Sequence, residues 1–153
     1  MHRAIVLFIF ITIFIASHLC VADEVNQVQI GDSLGIVYFA WDQLSIPKDQ
    51  IPNLEHAAVV LNSNPQINLL LAGHTDERGT NEYNLVLGEK MATVVREYLS
   101  SLGVDQTRLS VISHGEADPL DPGHCQESWD RNRRVELIVE EAYGSDGLLK
   151  KTD

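Results

Sequence analysis

Residues 67–84, INLLLAGHTDERGTNEYN, decide the fold of this chain, because an apolar run there passes into a polar loop and then into a helical pattern. Ile67 to Ala72 has the length and composition of a buried strand. The loop from Gly73 to Asn84 gathers a carboxylate at Asp76, an amide and the free backbone N–H groups of a helix start. This combination predicts a pocket for a small ligand that carries both an ammonium and a carboxylate.

Strands and helices alternate on both sides of this segment. The predicted elements are a strand at Gly35–Trp41, a helix at Leu54–Leu61, the strand at Ile67–Ala72, a helix at Asn84–Leu102 and strands at Leu109–Ser113 and Val135–Val139. Asn53 is the expected N-cap of the first helix, and Glu116–Asp130 is predicted to be a loop rich in Pro, Gly and Asp. The alternation predicts an α/β (α+β) two-layer sandwich, with both helices on one face of a four-stranded mixed sheet.

The first 22 residues predict a secretory signal peptide. Met1 to Arg3 is basic, and Ala4 to Ala16 is uncharged and almost wholly apolar but short for a membrane span. The signal peptide could be processed in two alternative ways. Cleavage after Ala22 would release a mature chain, whereas lipidation of Cys20 would make that cysteine the new N-terminus. The residues before Cys20 match a lipidation signal poorly, which favours the first alternative.

The remaining chain has the size of one domain. It is divided into a short leader at 23–34, a domain at 35–143 and a polar tail at 144–153. Removal of Arg3 with the signal peptide takes the formal net charge from −11 to −12. This acidity argues against a nucleic-acid partner and against docking on an anionic membrane surface.

No motif of a catalytic or metal-binding site is recognisable. The residues that could be considered for such a site are His74, His114, His124, Cys125, Asp76 and Asp121, and none of them has a recognised ligand or triad spacing. The chain also lacks a nucleophile elbow and a phosphate loop. Cys125 is expected to be a partly covered loop residue. The sequence therefore predicts a binding protein that is not an enzyme and needs no cofactor.

Residues from about Val37 to Val139 resemble OmpA-like C-terminal domains, and within that group the peptidoglycan-associated lipoproteins (Pal). The matching blocks are VYF at 37–39 with Asp42, NP at 64–65, GHTDERGT at 73–80, EYN at 82–84, LGE at 87–89 with Ala92, YL at 98–99, GV at 103–104 and NRRVE at 132–136. The resemblance implies non-covalent binding of the diaminopimelate-containing peptide stem of peptidoglycan.

The resemblance also implies which residues bind the stem. They are Asp76, Asn84, Asp42, Thr75 and Arg133. Asp76 matches the position that takes the ammonium of diaminopimelate, and Asn84 helps to fix loop and ligand, or alternatively caps the long helix. Successive strand residues point to opposite faces, so Arg133 rather than Arg134 is expected to face the pocket. His74 is expected to pack within the loop.

Met91 departs from the family pattern, which has an arginine at this position. An arginine fork holds a carboxylate with two hydrogen bonds, and methionine cannot replace it. Three explanations stay open: Lys90 or an arginine from the block at 132–134 supplies the charge, the ligand is an amidated stem, or wall binding is weak or lost. Met91 alternatively extends the apolar stripe of Leu87 and Val95.

The resemblance thus implies a periplasmic protein, associated with the outer membrane, that tethers this membrane or an envelope complex to the wall. Its partners would be peptidoglycan and, in addition, Tol-type or other envelope proteins. The alternative is a structural subunit of an envelope-spanning assembly, such as a secretion or motility machine, with little or no affinity for the wall.

Overall fold

A computed structural model of the protein describes residues 28–141. Its elements are β1 (Ser33–Tyr38), a 3₁₀ turn (Lys48–Gln50), α1 (Ile51–Ser63), β2 (Ile67–His74), α2 (Asn81–Ser101), a 3₁₀ turn (Gln106–Arg108), β3 (Leu109–Gly115), α3 (Gln126–Asn132) and β4 (Arg134–Glu141). The predicted signal peptide, the fate of Cys20 and the tail at 144–153 lie outside these residues. None of the helices within 28–141 is both long enough and apolar enough to cross a bilayer.

The four strands form one mixed sheet in the order β1-β4-β2-β3. β4 runs antiparallel to both β1 and β2, whereas β2 and β3 are parallel. Alternate residues of β2 and β4 are buried, which places one face of each strand against the helices. The expected two-layer α/β architecture with a four-stranded mixed sheet is confirmed.

The core lies between this face of the sheet and helices α1 and α2. Its largest fully buried side chains are Leu54, Leu61, Leu69, Leu71, Met91, Leu99 and Leu137. The side chains that α1 contributes lie on one helical stripe, because residues three and four positions apart share a face. The opposite face of the sheet carries partly exposed residues such as Ile138 and Glu136.

The start of α1 differs from the prediction. The helix begins at Ile51 with Gln50 as its N-cap, so Asn53 is an exposed residue within the first turn and not the cap. Pro52 stands in this first turn, where a missing N–H costs no helical hydrogen bond.

The start of α2 also differs. Thr80 is the N-cap, and its hydroxyl accepts a hydrogen bond of 3.2 Å from the backbone N–H of Tyr83. The alternative reading of Asn84 as the cap was wrong, because Asn84 lies one turn inside the helix. Its side chain is therefore available for the loop that follows β2.

A short helix occupies part of the segment predicted to be a loop. α3 starts after Cys125, which is exposed rather than partly covered. Asn132 at the end of α3 fixes this helix to the preceding loop, donating to the Asp121 carbonyl at 2.8 Å and accepting from the Asp121 N–H at 2.9 Å. Tertiary hydrogen bonds thus stabilise a helix that the local sequence does not predict.

Close contact between β2 and α2 sets the position of the loop after β2. A Cβ atom placed on Gly73 would overlap the carbonyl oxygen of Gly88, so only glycine lets the strand and the helix approach this closely. Thr75 then continues the sheet, donating its N–H to the Gly115 carbonyl at 2.8 Å. The polar residues that follow Thr75 are held against the start of α2.

Candidate ligand-binding site

A pocket of about 230 Å³ opens where the end of β1, the loop after β2 and the first half of α2 meet. The five residues predicted to bind the ligand all line it: Asp76, Asn84, Asp42, Thr75 and Arg133. Met91 and Lys90 also line it. The structure therefore brings the predicted residues together, although they come from three separate parts of the chain.

Asp76 lies at the inner wall of the pocket and is 2% exposed. Its Oδ1 accepts from the backbone N–H of Arg78 at 3.0 Å and from Arg78 Nε at 3.1 Å. Its Oδ2 accepts from Arg78 Nη2 at 2.7 Å and from Arg133 Nη1 at 2.8 Å. A carboxylate offers about four acceptor positions, so these four N–H groups satisfy it.

Two opposing effects set the pKa of Asp76. Burial would raise this pKa, but hydrogen bonds from Arg78 and Arg133 outweigh burial and hold the pKa below its ordinary value. The carboxylate therefore stays ionised. An incoming ammonium would reach Asp76 only by displacing an arginine N–H group.

Arg78 lies against two tryptophan side chains. Its guanidinium carbon lies 3.8 Å from the ring centroid of Trp41 and 4.2 Å from that of Trp129. Both distances are within the range of cation–π contact. Glu77 holds the Trp129 ring in place by accepting its indole N–H at 2.9 Å. The Trp129 and His124 hydrogen bonds lower the pKa of Glu77, which keeps that carboxylate charged.

The two consecutive arginines point in different directions. Arg133 precedes β4 and reaches the pocket, where it also donates from Nε to the Phe39 carbonyl at 3.1 Å and contacts Asp130. Arg134 begins β4 and instead pairs with Glu136 at 2.7 Å. Of these two consecutive arginines, Arg133 is therefore the one at the pocket.

Asn84 and Thr75 add uncharged polar atoms. The Asn84 amide nitrogen donates to the Asp76 carbonyl at 3.3 Å and to the Glu116 carboxylate, which ties α2 to the loop. The Asn84 Oδ1 and Thr75 Oγ1 atoms are buried, and neither has a hydrogen-bond partner among the described residues. Buried polar atoms without a partner are uncommon, which marks this wall of the pocket as a place for a ligand or water.

Asp42 stands at the outer side of the pocket and is exposed. Its φ angle of 55° lies in the left-handed region, and it is the one non-glycine residue with positive φ within residues 28–141. Asp and Asn tolerate this conformation better than most residues, and such residues cluster at binding sites. The Asp42 carboxylate forms no hydrogen bond or ion pair with any part of the chain that the structure describes.

Met91 belongs both to the pocket wall and to the hydrophobic core, and it is 1% exposed. The structure thus agrees with the reading that it extends the apolar stripe of α2. Lys90, the adjacent residue, lines the pocket and is exposed. Position 91, where the resemblance implies an arginine, is occupied here by an apolar side chain.

His74 faces the other side of the sheet from the pocket. It is 2% exposed, stacks on His114 at a centroid distance of 4.9 Å and contacts the Asp118 carbonyl through Nδ1 at 3.2 Å. Burial and the charge of Arg134 lower the pKa of His74, so its ring is neutral near pH 7. A packing role for His74 fits these contacts.

Three residues of the site were missed by sequence reasoning: Arg78, Trp41 and Trp129. Arg78 lies within the decisive loop and inside a motif shared with the family, so its charge was a signal that could have been used. The tryptophans could not be connected with Arg78 from the sequence, because Trp129 lies about 50 residues further along the chain. The folded structure brings both rings against Arg78.

The family comparison agrees with this fold. The model of the OmpA family matches residues 38–133, which is more than half of the chain. Peptidoglycan-associated lipoproteins are among the similar proteins. That of Legionella pneumophila is 40% identical over 102 residues, which are 67% of this chain and 58% of the relative. That of Pseudomonas aeruginosa is 42% identical over 100 residues, which are 65% of this chain and 59% of the relative.

Solved structures give the same result. The crystal structure of the peptidoglycan-associated lipoprotein from Burkholderia pseudomallei matches with a TM-score of 0.67 and 43% identity, over 69% of this chain and 89% of that chain. The cell wall anchor of the T6SS from Pseudomonas aeruginosa matches with a TM-score of 0.57 and 28% identity, over 69% of this chain and 76% of that chain. This chain spans less than two thirds of the length of the Legionella and Pseudomonas relatives. It belongs to the OmpA family.

Proposed function

We propose that this protein binds the peptide stem of peptidoglycan non-covalently and thereby tethers the outer membrane, or an envelope complex attached to it, to the cell wall. The observation that carries the proposal is the pocket beside Asp76. Arginines, carboxylates and the polar residues Asn84 and Thr75 line this pocket of about 230 Å³. Relatives at about 40% identity are named peptidoglycan-associated lipoproteins, which supports this class of ligand.

The chemistry of the pocket suits a zwitterionic group such as the end of diaminopimelate. An ammonium needs an acceptor, and Asp42 is an exposed carboxylate at the pocket that the described residues leave without a partner. A carboxylate needs donors, and the arginines supply them. Because Asp76 is satisfied by Arg78 and Arg133, we assign the ligand ammonium to Asp42 rather than to Asp76.

The envelope location follows from the same proposal. A protein that holds the wall must act in the periplasm, and the predicted signal peptide would deliver it there. Cleavage after Ala22 and lipidation of Cys20 would differ in whether the protein carries its own membrane anchor. Metabolic labelling with palmitate, with Cys20→Ala as the comparison, distinguishes the two.

Binding can be tested by sedimentation of the protein with purified sacculi. Asp42→Asn removes the charge at a position where asparagine tolerates the left-handed backbone. Replacing a charge-assisted hydrogen bond by a neutral one should weaken binding by roughly 1–2 kcal/mol, or about five- to thirtyfold. Glu55→Ala, an exposed substitution on α1, is the matched control and should sediment like the wild type.

Failure of the wild type to sediment would overturn the proposal. The protein would then be better described as an interaction subunit of an envelope-spanning assembly. Equal sedimentation of the wild type and Asp42→Asn would show instead that the wall binds at another surface.

A further inference from the structure

The geometry points to Arg78 as the residue that recognises the carboxylate of the ligand, in place of the arginine that this chain lacks at position 91. The inference rests on the proposed function and assigns the specificity of the same pocket. It predicts a preference for a stem whose diaminopimelate carboxylate is free over a stem in which that carboxylate is amidated.

One edge of the Arg78 guanidinium is occupied and another is free. Arg78 uses Nε and Nη2 to hold Asp76, which occupies one edge of the planar group. Arginine has five N–H donors in a fixed fork, so the edge formed by Nη1 and the second hydrogen of Nη2 stays open. Nη1 has no hydrogen-bond partner within residues 28–141.

Arg78 stays partly accessible despite its neighbours. The rings of Trp41 and Trp129 lie close to its guanidinium, and the side chain is nevertheless 30% exposed. Because Arg78 lines the pocket and Asp76 occupies one edge, we assign this exposure to the edge that Asp76 leaves free. It can bind a carboxylate through two parallel hydrogen bonds, which is the strongest mode for this pair.

Asp76 is shared by Arg78 and Arg133. Arg133 has an acceptor at each of its three guanidinium nitrogens, namely a backbone carbonyl, Asp76 and Asp130. Asp130 and Glu77 also lie close enough to Arg78 to raise its pKa, so its positive charge is partly offset. Within residues 28–141, Arg78 is the one of these two arginines that keeps a free donor edge for a ligand. Asp76 serves to hold it in a fixed orientation, which lowers the entropy lost on binding.

Helix α2 offers no arginine to the pocket. A buried methionine supplies no donor, and Lys90 offers a single ammonium without a fork. Arg78 lines the same pocket from the opposite wall, on the loop after β2. The carboxylate of the ligand would thus be held by the loop and not by α2.

Isothermal titration calorimetry with two synthetic peptides tests the inference. The probes are the stem tripeptide with a free diaminopimelate carboxylate and the same tripeptide with that carboxylate amidated. We expect the wild type to bind the free acid at least tenfold more tightly than the amide. Arg78→Lys should weaken binding of the free acid about tenfold, and Arg78→Ala should bind both peptides weakly and equally. Arg131→Ala, which removes an exposed arginine outside the pocket, is the control and should bind like the wild type.

The outcomes separate the two proposals. A wild type that binds neither peptide and does not sediment with sacculi overturns the proposed function, and this inference with it. A wild type that binds, combined with Arg78→Ala that keeps both affinity and preference within twofold, overturns only the role of Arg78. If Arg78→Ala fails to fold, as judged by circular dichroism, the acid-to-amide ratio in the wild type and in Arg78→Lys decides.

Discussion

The most constrained residue of the molecule is Asp76, because it accepts four N–H groups while almost completely buried. Arg78 and Arg133 both donate hydrogen bonds to its carboxylate. Arg133 is itself nearly buried, with a side-chain exposure of 5%, and without Asp76 it would keep only Asp130 and the Phe39 carbonyl as acceptors. The residue that the family resemblance marks as a ligand is therefore also a structural centre of the pocket.

Asp76→Ala should destabilise the protein strongly. Removing Asp76 takes one of two carboxylates from the nearly buried Arg133, which should cost about 3 kcal/mol, the low end for breaking a buried ion pair, because Asp130 still offsets part of the charge. The measurement is urea-induced unfolding followed by circular dichroism, which gives the free energy of unfolding. Arg131→Ala breaks the exposed pair with Asp121 and should leave this free energy unchanged. A loss below about 1 kcal/mol for Asp76→Ala would show that the network around Asp76 is not held as described.

The sequence predicted which residues line the pocket. It did not predict which hydrogen bonds their side chains form. Asp76, Asn84 and Asp42 stand in a shared motif, so their convergence follows from the order of strands and helices. The pairing of Asp76 with Arg78 depends on side-chain orientation. No periodicity or spacing reports such an orientation. The assignment of the ammonium to Asp76 is a prediction that the contact geometry makes conditional on movement of Arg78.

At the scale of the elements, prediction succeeded where the pattern was long and apolar. β2 and α2 were located to within three residues at each end, because one is a continuous apolar run and the other a helix of 21 residues. α3 was missed because it has seven residues and lies in a segment rich in Pro, Gly and Asp. Its stability depends on the hydrogen bonds between Asn132 and Asp121, which are visible only after folding.

The contact between β2 and α2 supplies a test at this scale. An alanine at Gly73 would overlap the backbone of Gly88, and neither backbone can move without separating the helix from the sheet. An alanine at Gly88 would meet the hydroxyl of Ser113, which can rotate away, although Gly73 O would still lie 3.0 Å from the new Cβ. The close approach therefore constrains Gly73 more than Gly88.

Gly73→Ala should lower the free energy of unfolding by about 3 kcal/mol or more, near the upper end for overpacked cores. Gly88→Ala should cost less, and the added change Ser113→Ala should restore part of that loss. Glu89→Ala, at an exposed neighbouring position of α2, is the control for the altered helix propensity. The four variants and the wild type are compared by urea unfolding. Equal losses at the two glycines would contradict the asymmetry of this contact.

At the scale of the whole molecule, the two faces of the sheet have different roles. One face packs against α1 and α2, and the ligand pocket opens at the edge of this layer. The other face carries His74 and His114 with Arg134 and Glu136 around them. Titratable groups with lowered pKa values thus lie on both sides of the sheet, Asp76 on one and His74 on the other.

These two groups predict how global stability changes with pH. The ordinary pKa values are 6.5 for His74 and 3.8 for Asp76, and in the folded protein both pKa values lie below these. The unfolded chain therefore binds protons at a higher pH than the folded chain does, and stability falls as the pH falls. The contribution of neutral His74 is fully present above about pH 6.5 and is lost as the pH falls through its folded pKa. The contribution of ionised Asp76 is lost in the same way below about pH 3.8. Stability should therefore decline in two separate ranges.

Urea unfolding at pH 7.5, 5.5 and 3.5 measures this decline. We expect His74→Gln to flatten the change between pH 7.5 and 5.5, because an amide does not titrate there, while the fall towards pH 3.5 persists. His56→Gln is the matched control on the exposed side of α1 and should keep the wild-type profile. If His74→Gln and His56→Gln lose stability equally between pH 7.5 and 5.5, protonation of the buried ring does not govern acid sensitivity, and the dependence belongs to other groups of this acidic chain.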